Sequence, residues 1–327
     1  MTVDLTTAVL PASDQAVQTA ESCLRGGGLV AFPTETVYGL GADATNGAAI
    51  ARLYQAKARP AFNPLIAHVA DLEAAQRIGR FGPAALQLAQ SFWPGPLTLV
   101  VPKTESCTVA ELATAGLVTV AIRVPAHPVA QAILRALGRP VVAPSANRSG
   151  HVSPTTAAHV HGDLDGRIDL IIDGGPVTVG VESTIVGCFD TPVLLRPGGV
   201  PREAIEAVLG APLAQPQAPA GAAPVAPGML SSHYAPRSAV RLNASSVTPG
   251  EALLAFGQPL PPGSEAASRV LNLSETGDLT EAAAHLFGYL RALDGKSPIG
   301  IAVMPVPTHG LGEAINDRLA RAAAPRP

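Results

Sequence analysis

The chain has 327 residues, 47% hydrophobic and 14% charged, with a formal net charge of −3. That length can bury two cores, and acidic and basic residues balance in both halves, which excludes a basic nucleic-acid footprint. No apolar run approaches the length of a membrane span, and the start, Met1-Thr-Val-Asp-Leu, lacks the basic region of a secretory signal, so a cytoplasmic location is expected.

A helix is predicted to open at Ser13 or Asp14, with Val17, Ala20 and Leu24 on one face, and to end in Gly26-Gly-Gly28. Strands are expected at 29–32, 65–69, 97–101, 119–124, 141–143, 170–172, 184–189 and 193–195. Helices fill the gaps at 48–57, 83–91, 128–137, 154–161 and 201–209. This alternation predicts an α/β layer fold, and several connections are too short for crossover helices, so the sheet should be mixed. Residues 210–236 read as a Pro/Ala-rich extended linker between a domain at 1–209 and another at 237–327. The second unit reads as a small α/β domain, with strands at 239–242, around Leu271 and at 299–306, and helices at 279–293 and 311–323. Cys23, Cys107 and Cys188 are odd in number, widely spaced and never in a CxxC pair, which argues against disulfides and zinc.

The stretch Lys57-Ala-Arg59-Pro60-Ala-Phe-Asn63-Pro64 sets a point charge, a planar guanidinium fork and an amide between two prolines. It reads as a fixed polyanion clamp on stiff, extended backbone, or as the charged end of a helix followed by a loop. Phe32-Pro-Thr-Glu-Thr36-Val-Tyr-Gly-Leu-Gly41 crowds hydroxyls and a carboxylate into a strand-to-helix loop where α/β ligand crevices open, and contains neither GxxxxGK[ST] nor GxGxxG. His68 either caps its strand as a satisfied histidine or enters the same crevice. Thr119, Ala121 and Arg123 share one strand face, where Arg123 needs an anionic ligand or a buried salt bridge. Ala143-Pro-Ser145-Ala-Asn147-Arg-Ser-Gly-His-Val-Ser153 can form an anion-binding turn or a plain hydrogen-bonded one. Gly180-Val-Glu182-Ser183-Thr184, Arg196-Pro-Gly-Gly199 and His233-Tyr234-Ala-Pro236 adjoin strands or the linker. His159 and His161 diverge on a helix, so no metal site is assigned.

In this order the motifs resemble those of YrdC-type threonylcarbamoyl-AMP synthases in their long, two-domain form. The match runs through Pro33 to Leu40, Lys57 to Pro64, Ser91-Phe-Trp-Pro-Gly-Pro-Leu-Thr98, Ser145 to Gly150, Glu182 to Thr184, Arg196 to Gly199 and His233 to Pro236, and continues in Gly310-Leu-Gly-Glu-Ala-Ile-Asn-Asp-Arg-Leu319. Ala58 stands where Gly is commoner. The resemblance implies a YrdC-like twisted mixed sheet with flanking helices and a central cavity, followed by a small Rossmann-like α/β domain. It further implies synthesis of threonylcarbamoyl-AMP and pyrophosphate from L-threonine, bicarbonate and ATP with Mg²⁺. Downstream it implies a threonylcarbamoyl transferase machinery acting on tRNA, with weak or indirect tRNA contact and no membrane partner. By the same resemblance Thr36, His68, Arg123, Ala143 and Ser183 would hold threonine. Arg59, Asn63, Thr119, Ser145, Ser153, Arg196 and Tyr234 would hold the nucleotide, and Lys57 with Arg59 would carry catalysis as a triphosphate clamp. Tyr234 lies beyond the linker, which is therefore expected to fold back as a lid. Two rival readings share the fold: a carbamoyl-transfer enzyme, which needs zinc-binding Cys pairs that this chain lacks, and a non-catalytic RNA-binding module, which needs an open basic surface.

Overall fold

A computed structural model of the chain describes residues 6–216, 234–295 and 299–325. The first unit runs β1 (Ala8–Pro11), α1 (Asp14–Arg25), β2 (Val30–Pro33), β3 (Tyr38–Asp43), α2 (Gly47–Lys57), β4 (Ile66–His68), α3 (Leu72–Ile78), α4 (Pro83–Phe92), β5 (Leu97–Pro102), β6 (Thr119–Arg123), α5 (Pro128–Leu137), β7 (Val141–Val142), α6 (Ala157–Leu164), β8 (Leu170–Asp173), β9 (Thr184–Cys188), β10 (Pro192–Arg196) and α7 (Arg202–Leu209). Its strands form one ten-stranded sheet in the order β1-β8-β2-β3-β7-β4-β6-β5-β9-β10, mixing parallel and antiparallel pairs as the short connections required.

The remainder comprises β11 (Val240–Arg241), β12 (Ala252–Ala255), β13 (Arg269–Asn272), α8 (Leu279–Leu293), β14 (Ile301–Val303) and α9 (Leu311–Ala323). Its four strands are parallel, in the order β11-β14-β12-β13, with α8 packed on β12 and on α9. Among the described residues no helix is long and apolar enough to cross a membrane.

Local chemistry explains where these elements begin. The Ser13 side chain accepts from the Ala16 N–H at 3.1 Å and fixes the start of α1. The start of α6 is Thr156-capped, three residues later than the sequence pattern suggests, because Pro154 and two threonines favour a cap over a helical turn. The expected strand-to-helix loop after Phe32 is instead a β-hairpin: the Thr34 hydroxyl donates to Val37 O at 2.6 Å and the chain returns as β3. Most of the linker expected at 210–236 falls outside the described residues. Its first part lies along the sheet, with Ala214 bridging Val193 in parallel.

The two units share a core. Val37, Val152, Val181 and Tyr234 pack in one cluster with Leu254, Phe287, Leu290 and Ile315 of the C-terminal domain. At Gly180 a Cβ would lie 2.3 Å from Ala283 O in α8, and the backbone there has φ +79, so only glycine allows this approach. Arg291 of α8 donates to Val152 O and to Asp163 of α6, while Arg202 pairs with Glu313 of α9.

Candidate active site

A cavity opens where α2, β4, β6, β7, β9 and β10 end or begin. Paired registers set its floor: Ile66 lies opposite Ala121 and His68 opposite Arg123 on adjacent parallel strands, so their side chains share a face. Ala143, Pro144 and Ser145 enter from the turn after β7, Ser183 and Glu182 from the turn before β9, Arg196 from the end of β10, and Arg59 from the loop after α2. Tyr234 reaches the same space from the far side of the interdomain segment. The cavity thus gathers the expected residues Arg59, His68, Arg123, Ala143, Ser145, Ser183, Arg196 and Tyr234.

The other expected residues stand outside its lining. Thr36 is buried, with its hydroxyl 2.8 Å from that of Thr34. Thr119 heads β6, on the face of Ala121 and Arg123 but farther along the strand. Ser153 sits behind Glu182 and donates to its Oε1 at 2.5 Å. Lys57 is buried at the end of α2 and donates to the carbonyls of Ser145 and Asn147. Asn63 is buried beside Arg59, and neither amide atom finds a hydrogen-bond partner among the described residues. An orphaned buried amide costs about 1–3 kcal/mol, which marks Asn63 as a polar group left open beside Arg59 among the described residues.

The clamp backbone turns between its two prolines. Ala58 is left-handed at φ 50, a conformation that glycine adopts more readily, and residues 61–63 turn, closed by Asn63 N–H to Pro60 O at 3.2 Å. Proline restrains only the residue before it, Arg59 and Asn63 here, and the turn is centred on Ala61 and Phe62, which no proline follows.

Burial and neighbouring charge set the protonation states. Desolvation, with Arg123 nearby, lowers the His68 pKa to about 3, so the ring is neutral near pH 7, and its Nδ1 donates to Ile66 O at 3.2 Å. His68 therefore satisfies both expected readings, as a bonded strand residue that also lines the cavity. Burial also lowers Arg59, to about 10, and pushes Lys57 well below the usual amine range, with Arg59 adding to that effect. Arg123 meets the rival expectation too: Nη2 donates to Glu35 Oε1 at 2.7 Å and Nε to Gly95 O at 3.3 Å, while Nη1 has no partner among the described residues. Glu35 Oε2 accepts from the Ala126 N–H at 3.0 Å. Arg196 holds the Ser183 backbone through Nε at 3.2 Å and Nη2 at 2.9 Å. Burial raises the Glu182 pKa, but Arg318 and Arg196 outweigh it and keep the carboxylate below its ordinary value.

Sequence reasoning assigned no role to Glu35, Glu182 or Arg318. Glu35 and Glu182 lay inside singled-out motifs, flagged only as carboxylates beside other polar groups. Arg318 lies on a helix more than a hundred residues away, inside the Gly310–Leu319 stretch quoted for the resemblance, where nothing marked it as a partner of this site. A second, roomier cavity lies between α3 and α5, lined by Arg77, Arg135 and Arg139 over Ile78 and Leu134, and none of the expected residues reaches it.

The arrangement can hold an anionic ligand at three guanidinium groups beside a neutral imidazole, and comparison with known proteins gives it a context. The Sua5/YciO/YrdC family model, described as "Telomere recombination", matches residues 22–198, and the model described as "Threonylcarbamoyl-AMP synthase, C-terminal domain" matches residues 200–324. The threonylcarbamoyl-AMP synthase of Bacillus subtilis (strain 168) is 42% identical over 97% of this chain and 95% of its own length. That of Pyrococcus abyssi (strain GE5 / Orsay) is also 42% identical, over 95% of this chain and 94% of its own. The crystal structure of P. abyssi Sua5 complexed with L-threonine superposes with a TM-score of 0.85 at 38% identity, covering 98% of both chains. The chain belongs to the Sua5/YciO/YrdC family of threonylcarbamoyl-AMP synthases, in the form that carries the Sua5 C-terminal domain.

Proposed function

We propose that this protein converts L-threonine, bicarbonate and ATP to threonylcarbamoyl-AMP and pyrophosphate, the activated group passing later to a tRNA adenosine through a separate transferase. The observation that carries the reading is the convergence of Arg59, Arg123 and Arg196 on one cavity with neutral His68. In the reaction the threonine amine forms a C–N bond to CO₂ as one C=O π bond opens and the amine gives up a proton, or to bicarbonate with loss of water, giving a carbamate. A carbamate oxygen then bonds to the α-phosphorus of ATP as the bond to the β-phosphate oxygen breaks, and pyrophosphate leaves with the electron pair. The nucleophile is already anionic, so positioning and charge neutralisation matter more than a strong base.

Arg123, steered by Glu35, pairs with the threonine carboxylate, and Thr36, His68, Ala143 and Ser183 shape the space around it. Arg59 and Arg196 face the phosphates, and Asn63, Thr119, Ser145, Ser153 and Tyr234 complete the nucleotide side. Lys57 serves this side by tying the Ser145–Asn147 backbone in place. Mg²⁺ enters as the ATP complex, held by phosphate and water oxygens. The nearby carboxylates fit that assignment, since Glu182 in the cavity wall and Glu35 behind Arg123 already accept from arginines and other donors. Tyr234, buried and left-handed at φ 61, closes the cavity over a hydrolysable product. The test is mass detection of the product after incubation with ATP, Mg²⁺, L-threonine and ¹³C-bicarbonate. A one-unit heavier threonylcarbamoyl-AMP supports the reading, and AMP or ADP without the adduct overturns it.

A further inference from the structure

We infer that Arg318, on α9 of the C-terminal domain, is a positioning residue for the nucleotide side of the site, acting through Glu182; the inference rests on the synthase reading above. The Arg318 side chain is fully buried. Its Nε donates to Glu182 Oε2 at 2.7 Å, Nη2 to Pro197 O at 3.0 Å, and Nη1 to Asp317 Oδ2 at 2.6 Å. Its guanidinium also lies 5.1 Å from the centroid of the Tyr234 ring, whose opposite support is Phe287 of α8, stacked at 5.5 Å and 28°. One side chain of the second domain thus holds segments at 182, 197 and 234, which flank Arg196 and Ser183.

Charge explains why such a residue is needed. Glu182 lines a cavity proposed to receive a triphosphate, where a bare carboxylate would repel the substrate and compete with it for Arg196. Arg318, which is not among the residues lining the cavity, neutralises Glu182 at Oε2, while Ser153 occupies Oε1. The pairing of Arg123 with the threonine carboxylate does not run through this network, because Arg123 has its own counter-ion in Glu35, and only Ser183, beside Glu182 and held by Arg196, links the two sides. Arg318 therefore acts on ATP far more than on threonine, and the C-terminal domain completes the site.

The test compares full-length wild type with Arg318→Gln, Arg318→Lys, Glu182→Gln and the Arg318→Gln/Glu182→Gln double variant, by KM for each substrate and by calorimetric ATP affinity. Stranding Glu182 in Arg318→Gln should weaken ATP about 10- to 100-fold while the threonine KM stays within about threefold. Arg318→Lys should recover part of the loss. The double variant, which strands no charge, should match Glu182→Gln within about threefold for ATP. Equal losses for both substrates, an unmoved ATP affinity, or a double variant more than about tenfold worse than Glu182→Gln would overturn the proposal. If Arg318→Gln does not fold, the double variant decides alone. Direct ATP affinities keep this outcome separate from the synthase reading, which fails if the wild type binds ATP and makes no adenylate.

Discussion

Arg123→Gln isolates the threonine half of the site. The guanidinium is about 4% exposed and makes a 2.7 Å ion pair with Glu35. Removing it takes away a charge-assisted contact to the substrate carboxylate, worth about 1.5–3 kcal/mol. It also leaves Glu35 as a buried negative charge beside that carboxylate, so the combined loss is about 3–4 kcal/mol, or roughly 100- to 1,000-fold in kcat/KM for threonine. Breaking a buried pair also costs about 3–5 kcal/mol of stability, which should lower Tm by roughly 10 °C in a chain of this size. The Glu35→Gln/Arg123→Gln double variant should regain most of that stability without regaining threonine binding. Pyrophosphate release at saturating ATP and bicarbonate, titrated with threonine, gives the first number, and calorimetric unfolding the second. A folded Arg123→Gln protein whose threonine KM moves less than twofold, or whose ATP KM rises in step, would refute this assignment.

His68 links stability to pH. Its folded pKa of about 3 lies below the unfolded value, so the unfolded chain binds more protons between these limits and stability falls as pH drops through that window. His68→Gln should flatten the urea midpoint between pH 6.5 and 4, and an unchanged slope would contradict the buried neutral ring. Gly180→Val would drive a side chain into Ala283 O, so Tm should fall by several degrees and adenylate formation with it; wild-type values for both would show that the domains are not held by this contact. Truncation near residue 210 removes Tyr234, Arg291 and Arg318, and should impair adenylate formation while the ten-stranded sheet still folds by circular dichroism. Full activity in that truncation would exclude any role for the lid and the second domain.

The sequence was legible where local rules and packing agree. Helices with an apolar stripe and a cap, such as α1 with Ser13 and α8 with Leu286, Leu290 and Leu293, are found from periodicity. β3 escaped because Tyr38–Asp43 is rich in Gly and Ala, with no β-branched residue to mark a strand. A Cβ at Gly41 would lie 2.7 Å from the Phe32 ring, so packing demands the residue that hides the strand. β12 is a short apolar run that periodicity cannot separate from a helix segment, and α3 is seven residues long. Among the cavity cations, Arg123 was visible as a charge on an apolar strand, Arg59 as part of a basic stretch between prolines and Arg196 as the head of an Arg-Pro-Gly-Gly turn. Their counter-ions were not, because Glu35 and Arg123 are 88 positions apart and Glu182 and Arg318 136 apart, and only the tertiary fold brings them together.

The most direct test of the central claim is pyrophosphate release by the purified full-length protein, with ATP and Mg²⁺ present and L-threonine or bicarbonate omitted in turn. The account predicts release only when both co-substrates are present. Release that is indifferent to either co-substrate, or ATP binding with no release under any combination, would contradict it.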